Sequence, residues 1–222
     1  MQRSTALLAL SALLAAAPLQ AQVAGLPVYN SGVNSGISLN ADVGFPNADA
    51  GKGKTWAATG GVGLGPLGFT ATLASRKPEG LDGQTWAGAT ANLKVFGGPL
   101  IPVSVNAQVG VGYGVVKDGS PVPGEDLKLL NVPVGLGIAV NIPTPGLSIK
   151  PWLAPRLQYM RSSGALDDSQ TKFGLSAGVN LGLVGGINAR VAYDYLKVDG
   201  GKPSTFSVGV GYNFNVPIVP GI

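Results

Sequence analysis

Eight charged side chains interrupt otherwise apolar, alternating stretches of this chain: Asp42, Arg76, Lys94, Lys150, Arg156, Lys172, Arg190 and Asp194. A carboxylate beside a guanidinium forms a charge-assisted, often bidentate pair. Six bases set against two acids on one wall would also attract anions. Catalysis has few candidates. The chain has no His and no Cys, which removes the commonest general base, the commonest metal ligand and thiolate chemistry. Carboxylate, Lys, Tyr and Ser groups remain. The adjacent acids Asp167 and Asp168 lie in a polar stretch and read as solvated loop, with calcium or lipopolysaccharide contact as the only binding they suggest. The glycines of G-G-V-G-L-G at 60–65 are followed by neither a Lys nor a helical pattern, so they do not form a phosphate loop. No enzyme, cofactor or metal site is expected.

The elements that must position these charges are strands. In V-S-V-N-A-Q-V-G-V-G-Y, residues 103–113, every second position is apolar, and Ser104, Asn106, Gln108, Gly110 and Gly112 lie between. Successive side chains of a strand face opposite ways, so the run has one greasy and one wet face over a length that crosses a tilted bilayer. The pattern recurs at 37–45, 56–64, 69–76, 87–95, 130–142, 147–159, 173–181, 187–195 and 206–214. Polar loops alternate with short Gly- and Pro-based turns between these runs. That is the signature of an all-β, antiparallel up-and-down transmembrane barrel of about ten strands, eight being the alternative.

With each register set by its apolar residues alone, all eight strand charges fall on the polar side. An Arg or Lys facing lipid at mid-bilayer costs about 2–4 kcal/mol, which explains the exclusion. A soluble sandwich also alternates, but its strands average about five or six residues. Phe45, Trp56, Tyr113, Tyr159, Phe173, Tyr195 and Phe206 lie at loop-side strand ends, and Phe69, Tyr212 and Phe214 at turn-side ends, as interfacial girdles do. Trp86, Phe96 and Trp152 fall on the inward register. Pro133, Pro151 and Pro155 each remove a ladder hydrogen bond, so bulges are expected there.

Arg3, the apolar run at 6–19 and Ala21 read as a cleavable signal peptide over residues 1–21. Residues 22–35 then form a periplasmic lead without clear period, residues 36–214 the barrel and 215–222 a tail. The last strand, with Ser207, Gly209, Tyr212 and Phe214, resembles the signal by which bacterial outer-membrane barrels are recognised for insertion. It departs from that pattern in not ending at the Phe. I-K-P-W-L at 149–153 is similar to the strand starts of the small opacity-like barrels. The chain thus resembles the small porin-like and opacity-like outer-membrane proteins. That resemblance implies an outer-membrane location, contact with its lipids and lipopolysaccharide, and handling by the barrel-assembly machinery.

The outer loops carry nearly balanced charge, so the formal net charge of +4 resides largely inside the barrel. Bases that point inward do not make a nucleic-acid surface, and no such partner is expected. Two readings of the lumen stay open. In one, Arg156 and Arg190 pair with Asp42 and Asp194 and close the barrel, leaving a monomer with a structural or surface-interaction role. In the other, the many Gly, Ala and Ser positions leave a narrow anion-preferring pore.

Overall fold

The computed structural model describes residues 22–33, 35–80, 82–97, 101–116, 126–164 and 167–214. The expected signal peptide and C-terminal tail lie outside these residues. The strands are β1 (Gly36–Pro46), β2 (Lys54–Leu64), β3 (Leu67–Lys77), β4 (Gln84–Phe96), β5 (Val103–Val116), β6 (Leu127–Val140), β7 (Ile142–Thr144), β8 (Leu147–Gly164), β9 (Asp168–Leu183), β10 (Ile187–Leu196) and β11 (Ser204–Phe214). The short β7 continues β6 beyond Asn141 and pairs with β8, so the wall has ten staves. All neighbouring pairs are antiparallel. Pairing of β1 with β11, from Ile37↔Phe214 to Pro46↔Thr205, closes the barrel and abolishes its free edges.

Alternation fixes which face is which. Along β5, Asn106 and Gln108 are buried while Val109, Val111 and Tyr113 are each more than 40% exposed. The same holds around the wall: Leu39, Trp56, Leu73, Val134, Leu157, Val191 and Val210 all point outward. An exposed apolar band of this extent has lipid as its natural solvent. Phe45 and Phe206 stack at 6.5 Å near the loop end, and Tyr212 meets Phe214 edge-on at 4.7 Å near the turn end.

Two expectations about strand irregularity are corrected. The prolines cause no bulge. Pairing lapses where Pro133 faces Gly110 and where Pro155 faces Leu136, and it resumes in the same register on either side. Pro151 stays within the continuous β8–β9 ladder opposite Val179. The missing N–H groups therefore cost ladder bonds without adding a residue. Among the described residues, the one register shift lies instead between Lys94 and Phe96 in β4. An extra residue there reverses the side-chain alternation, so Phe96 faces outward beside Val95 rather than into the lumen. Trp86 and Trp152 do point inward and are buried.

Residues 22–33 do not form a periplasmic lead. They run inside the barrel from the loop end, at residues 23–26, toward the turn end, where β1 begins. Val23, Ala24, Leu26 and Val28 are buried. This strap reverses at residues 23–26, where Leu26 N–H donates to the Val23 carbonyl at 3.2 Å and Gly25 takes φ +79°.

Candidate functional site

The lumen is layered along the barrel axis. At the loop end the strap's Val23, Ala24 and Leu26 pack with Trp86, Val116, Leu127, Leu129, Met160 and Leu196 in one apolar cluster. Trp86 lies over Gly114 of the next strand, where a β-carbon would overlap the indole. Thr55 Oγ1 donates to the Ala24 carbonyl at 3.2 Å, and Arg76 donates to the Ala50 carbonyl at 2.6 Å. This end of the lumen is filled by side chains.

Below it lies a belt of ion pairs. Arg156 sends Nη1 to Asp194 Oδ1 at 2.8 Å and Nη2 to Asp194 Oδ2 at 2.9 Å, with both residues buried. Its remaining donors reach Ser176 Oγ and Gln158 Oε1, each at 2.9 Å, and Ser176 also donates to Asp194. Arg190 forms the second bidentate pair, through Nε to Asp42 Oδ1 at 2.6 Å and through Nη2 to Asp42 Oδ2. Fork-to-carboxylate geometry, with further Arg156 donors answered by Ser176 and Gln158, is the arrangement in which a buried pair offsets its desolvation.

The strap is bonded into this belt. Tyr29 donates its hydroxyl to Asp42 Oδ1 at 3.2 Å and shares a 2.7 Å hydrogen bond with Ser207 Oγ. The Arg190 guanidinium lies 3.9 Å above the Tyr29 ring, a cation–π contact. Gln108 donates to the Tyr29 carbonyl at 2.9 Å, and Asn180 to Ser31 Oγ at 2.8 Å. Backbone contact is equally close: a β-carbon at Gly44 would overlap the Gly25 carbonyl, one at Gly112 that of Gln22, and one at Gly137 that of Asn30. Glycines on three staves therefore make room for the strap's main chain. A Gly137→Val variant should lose about 1–3 kcal/mol to overpacking. Urea unfolding would measure that loss, and limited proteolysis would show the strap released.

Toward the turn end the strap leaves a cavity of about 650 Å³. Its wall includes the hydroxyl ladder Thr59–Thr72 at 2.9 Å and Thr70–Thr90 at 2.6 Å, together with Asn92, Asn106, Asn188, Lys94 and Lys150. The remaining wall base, Lys172, lies near the loop end and pairs with the exposed Asp199 at 2.5 Å. Of the eight strand charges, four thus meet in the ion-pair belt, two in the cavity, and Arg76 and Lys172 stand apart at the loop end.

The proposed insertion signal divides between the two faces. Ser207 and Gly209 face the lumen, Gly209 directly beneath the Asp42 carboxylate, while Tyr212 and Phe214 face outward. Tyr29 and Asn106 are site residues that the strand patterning does not single out. The apolar residues Val23, Leu26 and Val28 were the available signal that this stretch is buried.

A closed, ten-stave antiparallel barrel with a lipid-facing apolar band and a polar, ion-paired lumen is the architecture of bacterial outer-membrane proteins. The family profile described as outer membrane protein beta-barrel domain matches residues 6–214. The chain belongs to that family. The fold is also similar to the beta domain of the Bordetella autotransporter BrkA, at 15% identity and TM-score 0.51, covering 81% of this chain and 99% of that one. The N-terminal beta-barrel domain of Pseudomonas aeruginosa OprF aligns at 14% identity and TM-score 0.37, covering 80% and 96%. The Yersinia pestis outer membrane protein Ail aligns at 15% identity and TM-score 0.40, covering 82% and 100%. No curated protein matches the chain. Membership of that family places the chain in the bacterial outer membrane and leaves its task to the site itself.

Proposed function

We propose that this outer-membrane barrel is a closed, monomeric protein with a structural or surface-interaction role, exported through the signal peptide at residues 1–21. The observation that carries the reading is the strap: residues 22–33 lie in the lumen, capped by apolar packing and tied to Asp42, Ser207, Gln108 and Asn180. Closure on this reading rests on strap and ion pairs together, not on the ion pairs alone. The apolar band takes lipid and lipopolysaccharide, and the β11 signal serves the assembly machinery.

The outer surface supports an interaction role. The loop after β1 and the loop before β11 are tied together: Asn47 donates to the Lys202 carbonyl at 2.9 Å, Lys202 N–H to Asp49 Oδ2 at 2.8 Å, and Ser204 N–H to Asn47 Oδ1 at 3.1 Å. Such bonding presents a preformed rather than a mobile face, which lowers the ordering cost of binding. The acid-free turn-end cavity favours a second reading, the narrow anion-preferring pore, because that end of the lumen is wide and basic.

Planar-bilayer recording of the refolded mature protein separates the two. Silence from a protein shown to be folded supports the closed barrel. Discrete steps with anion selectivity in a salt gradient would overturn it and point to the pore.

A further inference from the structure

The cavity at the turn end has a lining that closure alone does not require. Lys94 and Lys150 both face it, and neither has a carboxylate partner among the described residues. Among the described residues, no acidic side chain lines it. Asn106, the cross-strand neighbour of Lys94, is wholly buried, and neither its amide nitrogen nor its amide oxygen has a partner. Lys150 Nζ and Asn106 Nδ2 converge beside Gly32 of the strap, where a β-carbon would stand 3.3 Å from the first and 3.0 Å from the second. Gly32 also has φ +107°, and its missing side chain leaves the room in which these two donors lie against the strap.

A buried amide with both ends unsatisfied costs about 1–3 kcal/mol for each unmade hydrogen bond, and two unpaired ammonium groups near it repel one another. A bound anion offsets the ammonium repulsion and accepts from the amide nitrogen, while the amide oxygen calls for a hydroxyl donor on the same ligand. The rest of the wall says what else that anion carries. Ser38, Asn40, Thr70, Asn188 and the unpartnered Asn213 Oδ1 offer donors and acceptors in roughly equal number, and such a wall suits hydroxyl groups more than an apolar body. The volume is of the order that holds a small organic ligand.

We propose that this cavity is a binding site for a small anionic sugar, a sugar acid or sugar phosphate, entering from the turn end. Lys94, Lys150 and Asn106 hold the charged group, and the amide and hydroxyl wall holds the ring hydroxyls. Arg190 lines the same space, with the Nε–Nη2 edge of its fork committed to Asp42. The site goes beyond the closed-barrel reading and is independent of it, since a ligand can enter and leave by one mouth.

Isothermal titration of the refolded mature protein tests it with four probes: glucuronate, glucose 6-phosphate, inorganic phosphate and glucose. At least one anionic sugar should bind more tightly than phosphate, and glucose should not bind. Replacing both lysines, Lys94→Gln with Lys150→Gln, should weaken that binding about tenfold or more, as loss of charge-assisted hydrogen bonds does. Asn106→Ala should weaken it less, and Lys197→Gln with Lys202→Gln in the outer loop should leave it unchanged. Heat-modifiable migration on gels verifies that each variant is folded. Failure of both anionic sugars to bind, equal binding of glucose, equal binding of phosphate, or full affinity in the folded lysine variant would each overturn the assignment. Bilayer silence would not bear on it, and neither would conduction.

Discussion

Deleting residues 22–33 from the mature protein is expected to turn a silent barrel into a conducting one. The strap supplies the centre of the loop-end cluster, so its removal takes Val23, Ala24 and Leu26 from between Trp86, Leu129 and Leu196. It also takes Tyr29 from over Arg190 and empties the space that Gly44, Gly112 and Gly137 keep clear. The ladder bonds belong to the wall and survive, because strands of β-barrels satisfy their backbone groups between neighbours rather than through the lumen. The opened path should prefer anions, since Arg76, Lys94 and Lys150 have no carboxylate partners among the described residues while Asp42 and Asp194 stay neutralised. The measurement is single-channel recording with a reversal potential in a salt gradient. Steps with anion preference in the deletion, absent from the intact protein, are the expected result. A folded deletion variant that stays silent would show that side chains and ion pairs close the lumen unaided.

Strands were legible in this sequence because their face is set by a period of two, and lipid enforces that period more strictly than water does. The eight charges could be sorted inward for the same reason, while the pairing of Arg156 and Arg190 with the two acids was one of two readings left open beside a pore, and only the folded wall sets Arg156 against Asp194 and Arg190 against Asp42. Phe96 could not be placed, because a bulge at the end of β4 reverses the alternation and no residue type announces it. The prolines misled in the opposite direction. Losing a donor and inserting a residue are separate events, and Pro133 and Pro155 produce only the first. The strap was the largest gap. Residues 22–33 have no period because they form neither helix nor strand, and their burial is dictated by long-range contacts to residues such as Gly137 and Ser207 that adjoin them only in the folded barrel. Inward glycines, which suggest an unfilled lumen when the strands are considered alone, make room for that segment at Gly44, Gly88, Gly112 and Gly137 and for wall side chains such as Trp86 and Arg156 at Gly114 and Gly174.

Removing one member of the Arg156–Asp194 pair is expected to cost far more than removing both. In Arg156→Met, Asp194 stays buried with its charge unanswered, and Ser176 and Gln158 lose a donor as well. Breaking a buried pair in this way costs about 3–5 kcal/mol, whereas replacing it whole with apolar side chains of similar volume is often neutral. Arg156→Met combined with Asp194→Leu should therefore recover most of the loss, and urea unfolding of the refolded barrel in lipid vesicles would read the difference. Lys172→Gln supplies the contrast, because its partner Asp199 is exposed and screened by solvent, so the midpoint should stay where it is. If the double variant is no more stable than Arg156→Met, the pair acts in a way burial does not account for, and its contacts to Ser176 and Gln158 carry the stability instead. If it recovers, the pair is dispensable for folding. Its retention then falls to the lumen, where a wall that positions Asp194 3.5 Å from the Val28 backbone N–H helps decide where the strap lies.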